Sequence, residues 1–92
     1  MNKTELIDAL SKETMYSKTD VVRVVDALAR IVRRTLKNGD KLQWSGFGTF
    51  VISRRPARKG INPATKERID LPEAFVPKFK AGKQFKEEVR SL

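Results

Sequence analysis

Ninety-two residues without one cysteine or histidine exclude disulfides, thiol and imidazole chemistry, and the usual structural zinc sites. Twenty basic against eleven acidic residues leave a net charge of +9, which points to a polyanionic partner, nucleic acid or an anionic membrane surface. A chain so short is marginal by itself, and with disulfides and metal removed, oligomerisation is the support to expect.

The opening MNKTELIDAL lacks the apolar run of a signal peptide, and no apolar run exceeds three residues. Neither export signal nor transmembrane helix is expected, and the reading is a cytoplasmic protein. NKTELIDALSKET predicts a first helix, capped by Asn2, with Glu5 three residues on in a capping-box position. Leu6, Ile7 and Leu10 give it one narrow apolar face. MYSKTD interrupts the pattern, and Ser17 followed by Asp20 marks a second helix start. From there Val21, Val25, Leu28, Val32 and Leu36 recur at helical spacing, and Val22, Val24, Ala29 and Ile31 widen the stripe. Gly39 ends this helix, with Lys37 in the last turn suiting the dipole. An apolar face that broad fits a small domain only if a second copy covers part of it.

KLQWSGFGTFVISRR follows. Leu42 and Trp44 alternate with polar neighbours, as do Phe50 and Ile52, so two strands joined at SGFG are expected. RRPARKGINPATKERIDLP, residues 54–72, holds six basic residues and three prolines, and its sizeable apolar residues are Ile61, Ile69 and Leu71. It cannot bury a core of its own, so it reads as an arm that acts on something outside the protein. FVPKFK predicts one more strand and AGKQFKEEVRSL a short final helix presenting Phe85 and Val89. Eleven basic and five acidic residues lie from Phe47 onward, against nine and six before it, so the basicity is concentrated in the arm-bearing half. The fold class is α+β: two helices, a three-stranded antiparallel sheet with a protruding β-ribbon arm, and a short C-terminal helix.

GFGTF at 46–50, RKGINPAT at 58–65 and FKAGKQFK at 79–86 together resemble the HU/IHF family of bacterial DNA-bending proteins, HU-type above all, and MNKTELID resembles its first helix. The likeness spans essentially the whole chain. It implies an intertwined homodimer, with residues 1–39 as helical dimerisation base, 40–53 and 74–80 as saddle strands, 54–73 as DNA-binding arm and 81–92 as C-terminal helix. HU and IHF are themselves among the proteins from which the minor-groove architectural mode is generalised, so that mode enters as an implication of the resemblance.

The arm's cations are the candidate phosphate contacts: Arg54, Arg55, Arg58, Lys59 and Lys66, with Arg55 and Arg58 foremost and Lys66 and Arg68 less clear because Glu67 and Asp70 lie among them. A basic ribbon can equally be a solvated edge kept charged against edge-to-edge pairing. Asn62-Pro63 by itself is a turn signal. In the family, the proline of this motif intercalates and kinks the duplex, which implies a wedge role for Pro63 beside Asn62. By the same resemblance Lys3, Lys80, Lys83 and Lys86 lie along the DNA path, although each alone reads as solvated surface. Phe47, Phe50 and Phe79 alternate in apolar context and are expected in the dimer core with Val25, Leu28 and Val32. Trp44 is left open.

Two positions depart from the family pattern. Ile61 stands where arginine is usual, which removes a cation from each arm and enlarges the apolar tip beside Pro63. Lys66 stands where glycine is usual and lacks glycine's freedom at positive φ.

The leading expectation is a nucleoid-associated protein that binds double-stranded DNA with low sequence specificity, kinked, nicked or gapped sites included, and bends or compacts it. A site-specific IHF-like factor keeps the fold and changes the role. A small basic RNA-binding protein is the reading from another class. No enzyme, cofactor, metal, membrane or small-molecule substrate is expected: SGFGTF lacks the lysine and helix of a phosphate-binding loop, and no acidic cluster is discernible.

Overall fold

Residues 1–91 are described by the computed structural model. Helices α1 (Lys3–Thr14) and α2 (Lys18–Lys37) precede strands β1 (Leu42–Trp44), β2 (Gly48–Arg55), β3 (Arg58–Ile61), β4 (Arg68–Leu71) and β5 (Ala74–Ala81), and α3 (Lys83–Arg90) follows. The chain forms two compact units, Met1–Arg34 and Thr35–Leu92.

In the first unit the helix starts lie where the cap residues put them. The Asn2 side chain accepts from the Glu5 amide at 2.9 Å, and the Ser17 hydroxyl accepts from the Asp20 amide at 3.2 Å. Among the described residues the first cap is one-way, without the return bond of a full capping box. α1 ends on a left-handed Met15, φ 65°, whose amide donates to the Ser11 carbonyl at 2.8 Å. Two exposed ion pairs at 2.7 Å, Lys3–Asp26 and Lys18–Asp8, join the two helices. Val21 is buried and Val25 and Val32 are half-buried, whereas Val24, 67% exposed, Leu28 and Ile31, 48% exposed, form a second stripe left in solvent. α2 therefore has more apolar surface than one copy of its unit covers, as the width of the sequence pattern anticipates.

In the second unit α2 closes with both bonds of a Schellman motif. The Gly39 amide donates to the Leu36 carbonyl at 2.9 Å and the Asp40 amide to the Thr35 carbonyl at 3.1 Å, with Gly39 at φ 78°. The strands form two sheets: a three-stranded antiparallel sheet in the order β1-β2-β5, and a separate pair, β3-β4. These are the three-stranded sheet and the β-ribbon arm that the sequence anticipates, and the two strands of the ribbon bring the count to five. Register sorts the larger sheet into two faces. Leu42, Phe50, Phe79, Ile52 and Pro77 share one, and Thr49, Val51, Ser53, Lys78 and Lys80 share the other.

The first face is an aromatic cluster. Phe50 and Phe79 rings lie 4.9 Å apart, Phe47 lies 5.2 Å from Phe79, and Phe85 of α3 stacks on Phe47 at 5.2 Å with an interplanar angle of 19°. Trp44 joins it through Phe47 at 4.8 Å. Gly48 is the close-packing point: a Cβ there would lie 2.5 Å from the Phe79 ring and 2.6 Å from the Lys80 carbonyl oxygen. α3 is tied down by the Gly82 amide, which donates to the Phe47 carbonyl at 2.8 Å. Even so, Trp44, Phe47, Phe75 and Phe79 stay partly exposed.

The β2–β5 ladder reaches Arg55 opposite Ala74, two residues into the segment expected as arm. Pro56 and Pro72 flank the break that follows. Neither can donate to a ladder, so pairing stops and resumes in β3-β4 at Arg58 opposite Leu71.

Candidate nucleic-acid interface

The ribbon's register decides which arm cations act together. Arg58, Gly60, Ile69 and Leu71 share one face, and Lys59, Ile61, Arg68 and Asp70 the other. On the first face Leu71 folds over Gly60, where a Cβ would lie 2.9 Å from Leu71 Cδ1. This small contact, with Ile69 beside it, is the ribbon's apolar packing. On the second face Lys59 stands opposite Asp70 and Ile61 opposite Arg68, so that face has mixed charge.

Beyond the last pair, residues 62–67 make a closed tip. The Asn62 amide donates to the Glu67 carbonyl at 2.8 Å, and the Lys66 amide donates to the Asn62 carbonyl at 2.6 Å. Inside it the Asn62 side-chain oxygen accepts from the Ala64 amide at 2.9 Å, an Asx turn around Pro63. Asn62 is thus engaged at backbone and side chain, and Pro63 is exposed at the apex. Lys66 adopts φ 59°, the left-handed conformation that its position demands and that a lysine enters at a cost of about 1–2 kcal/mol. Ile61 is 66% exposed at the base of the tip, next to Asn62 and two positions from Pro63.

The other sequence-predicted cations fall into distinct environments. Arg55 and Lys80 stand on the sheet face away from the aromatic cluster. Arg54 stands on the aromatic face, opposite Phe75, and its guanidinium donates to Glu73 at 3.0 Å. Lys3 is held by Asp26 in the first unit. Lys83 and Lys86 are exposed one turn apart on α3, flanking the inward Phe85. Of the expected dimer-core residues, Phe47, Phe50 and Phe79 meet in the aromatic cluster, whereas Leu28 is in the exposed stripe of α2.

Two features escape the sequence reading. Lys78 joins Lys80 on the polar face, a placement that the period-two alternation around Phe79 already contains. Glu73 as the partner of Arg54 follows from cross-strand register, which no local pattern reveals.

Two carboxyls of the first unit are shifted by the lysines they pair with. The hydrogen bond from Lys18 holds the Asp8 carboxyl below its ordinary 3.8, and the hydrogen bond from Lys3 does the same for Asp26. Among the described residues no group of His, Cys, Asp or Glu is arranged to hold a metal, and no helix is long and apolar enough to cross a membrane.

The family model described as "Bacterial DNA-binding protein" matches residues 1–90. DNA-binding protein HU 1 of Bacillus subtilis is 48% identical over 89 residues, 97% of each chain. The chain belongs to the HU/IHF family. Its HU relatives include that of Geobacillus stearothermophilus, 46% identical over 90 residues, 98% of this chain and 100% of that one. Among solved structures the Anabaena HU–DNA cocrystal matches with a TM-score of 0.90 at 39% identity, over 97% of each chain. HU from Thermotoga maritima matches with a TM-score of 0.69 at 32% identity, over 97% of this chain and 98% of that one.

Proposed function

We propose that this HU-type protein is an architectural component of the bacterial nucleoid, a homodimer that binds double-stranded DNA through the minor groove with low sequence specificity and bends it. The observation that carries the reading is the arm: a ribbon with almost no core of its own, four cations along its strands and tip, and an exposed proline at the apex of a hydrogen-bonded turn. A structure of that kind has little use unless it lies against a partner, and a polyanion is what its charge selects. The similarity to HU in a cocrystal with DNA supports the same partner.

Each part has a role in this reading. Arg55, Arg58, Lys59, Lys66, Lys80, Lys83 and Lys86 neutralise phosphates and release counterions, which makes affinity salt-dependent and largely blind to sequence. Asn62 fixes the tip, and Pro63 enters a base step as a pre-locked apolar ring. Unstacking costs a few kcal/mol per step, offset by the backbone contacts that a bent duplex allows. Specificity then follows deformability, which favours flexible, kinked, nicked or gapped DNA. The second copy covers the exposed α2 stripe and the open side of the aromatic cluster. The activity is that of a cytoplasmic, nucleoid-bound structural protein without catalysis.

The test is energy transfer between dyes at the two ends of a short duplex, titrated with protein at fixed moderate salt. A rise in transfer that is alike across unrelated sequences is the expected result. A rise on one sequence alone indicates an IHF-like site-specific factor, and preference for structured RNA indicates the RNA-binding class.

A further inference from the structure

We infer that Lys78 is a phosphate-binding residue on the floor of the DNA interface, and that Arg54, despite its place in the basic run, is not. This inference rests on the duplex-binding reading above. It comes from the way that register divides the charges of the three-stranded sheet between its two faces.

Lys78 stands opposite Val51, Lys80 opposite Thr49, and Arg55 at the end of the ladder opposite Ala74. Side chains on one face of a strand recur every second residue, about 7 Å apart, so Lys78 and Lys80 are successive on the same surface with Arg55 further along it. No acidic side chain shares that face, and among the described residues none of the three cations has an ion-pair partner. The uncharged residues between them include Thr49 and Ser53, small enough to let a phosphate backbone approach the sheet. A row of unneutralised cations over small polar residues raises the local potential and invites a polyanion.

The opposite face is spoken for. It carries the Phe50–Phe79 contact and the rest of the aromatic cluster, whose remaining apolar surface is what a second copy would cover. Arg54 projects on that side. It lines a shallow pocket with Leu36, Ile52 and Phe75 and is neutralised by Glu73 at 3.0 Å. To meet a phosphate it would have to release Glu73 and reach around the strand. Arg54 and Glu73 therefore brace the root of the arm, where the ladder breaks at Pro56 and Pro72.

The experiment is the salt dependence of affinity for one short duplex, measured for wild type, Lys78→Gln and Arg54→Gln. Each dimer carries two copies, so losing one phosphate contact per copy flattens the plot of log affinity against log salt by about 1.8. Lys78→Gln is expected to show that flattening with an unchanged melting temperature, and Arg54→Gln to keep the wild-type slope. Equal slopes for wild type and Lys78→Gln, or flattening by Arg54→Gln in its place, would overturn the inference. Failure of the wild type to bind duplex is a separate outcome, which overturns the DNA-binding reading and the inference with it.

Discussion

Two antiparallel sheets in this chain are built on opposite terms. The β1-β2-β5 sheet has a face of interlocked rings, with Phe47, Phe50, Phe79 and Phe85 in contact and Gly48 bare because the Phe79 ring occupies its side-chain space. The β3-β4 ribbon has Leu71 over Gly60, Ile69 beside them, and otherwise charge and solvent. Antiparallel pairing alone does not stabilise two strands in water, so the ribbon depends on the sheet it extends from and on what it embraces. Packing surface is concentrated where folding and pairing of chains need it, and withheld where the molecule must meet DNA.

That division predicts unequal responses to mutation. Phe79→Ala removes the ring that touches Phe47, Phe50 and Phe85, and should cost about 3 kcal/mol of dimer stability in denaturant unfolding. A loss within about 0.5 kcal/mol, the usual scale of a surface change, would mean that the cluster is not the core of the assembly.

In the arm the sensitive quantities change from stability to binding. Ile61→Arg restores one cation per arm and should raise duplex affinity while steepening the log–log salt slope by about 1.8 per dimer. An unchanged slope would show that this position does not reach a phosphate. Lys66→Gly removes the left-handed strain, and the Asn62 and Lys66 amides that close the tip should then exchange with solvent about fivefold more slowly, the equivalent of about 1 kcal/mol. Faster exchange would mean that the lysine side chain, not the backbone, stabilises the turn.

The smallest effect belongs to the exposed ion pairs of the helical unit. Asp8 and Asp26 have carboxyls depressed below 3.8 by Lys18 and Lys3, so their contribution is fully present above that value and is lost as pH falls through the depressed folded-state values. Asp26→Asn should therefore flatten the acid limb of the melting-temperature profile slightly and leave neutral pH nearly unchanged. A large shift at neutral pH would give Asp26 a role beyond this exposed pair.

Most of this architecture is legible in the sequence, because the governing signals are local. Asn2, Ser17 and Gly39 announce helix ends through backbone hydrogen bonding, and the wide stripe of α2 announces a missing partner. The strain at Lys66 is foreseeable because a residue with a Cβ replaces glycine at a turn. What stays hidden is non-local or lacks a residue signal. Met15 closes α1 in a left-handed conformation with no glycine to mark it, and the Arg54–Glu73 pair depends on strand register across the whole arm. The basic run also reads as one uniform patch until alternation separates Arg54 from Arg55.

If the arm bends DNA through its tip, Pro63→Ala is the substitution that separates bending from binding. End-to-end energy transfer on one duplex, saturated in turn with wild type and variant, should show the bend largely lost while affinity falls only modestly, since the phosphate contacts remain. Equal transfer for the two proteins would contradict the account and leave Pro63 as a turn residue alone.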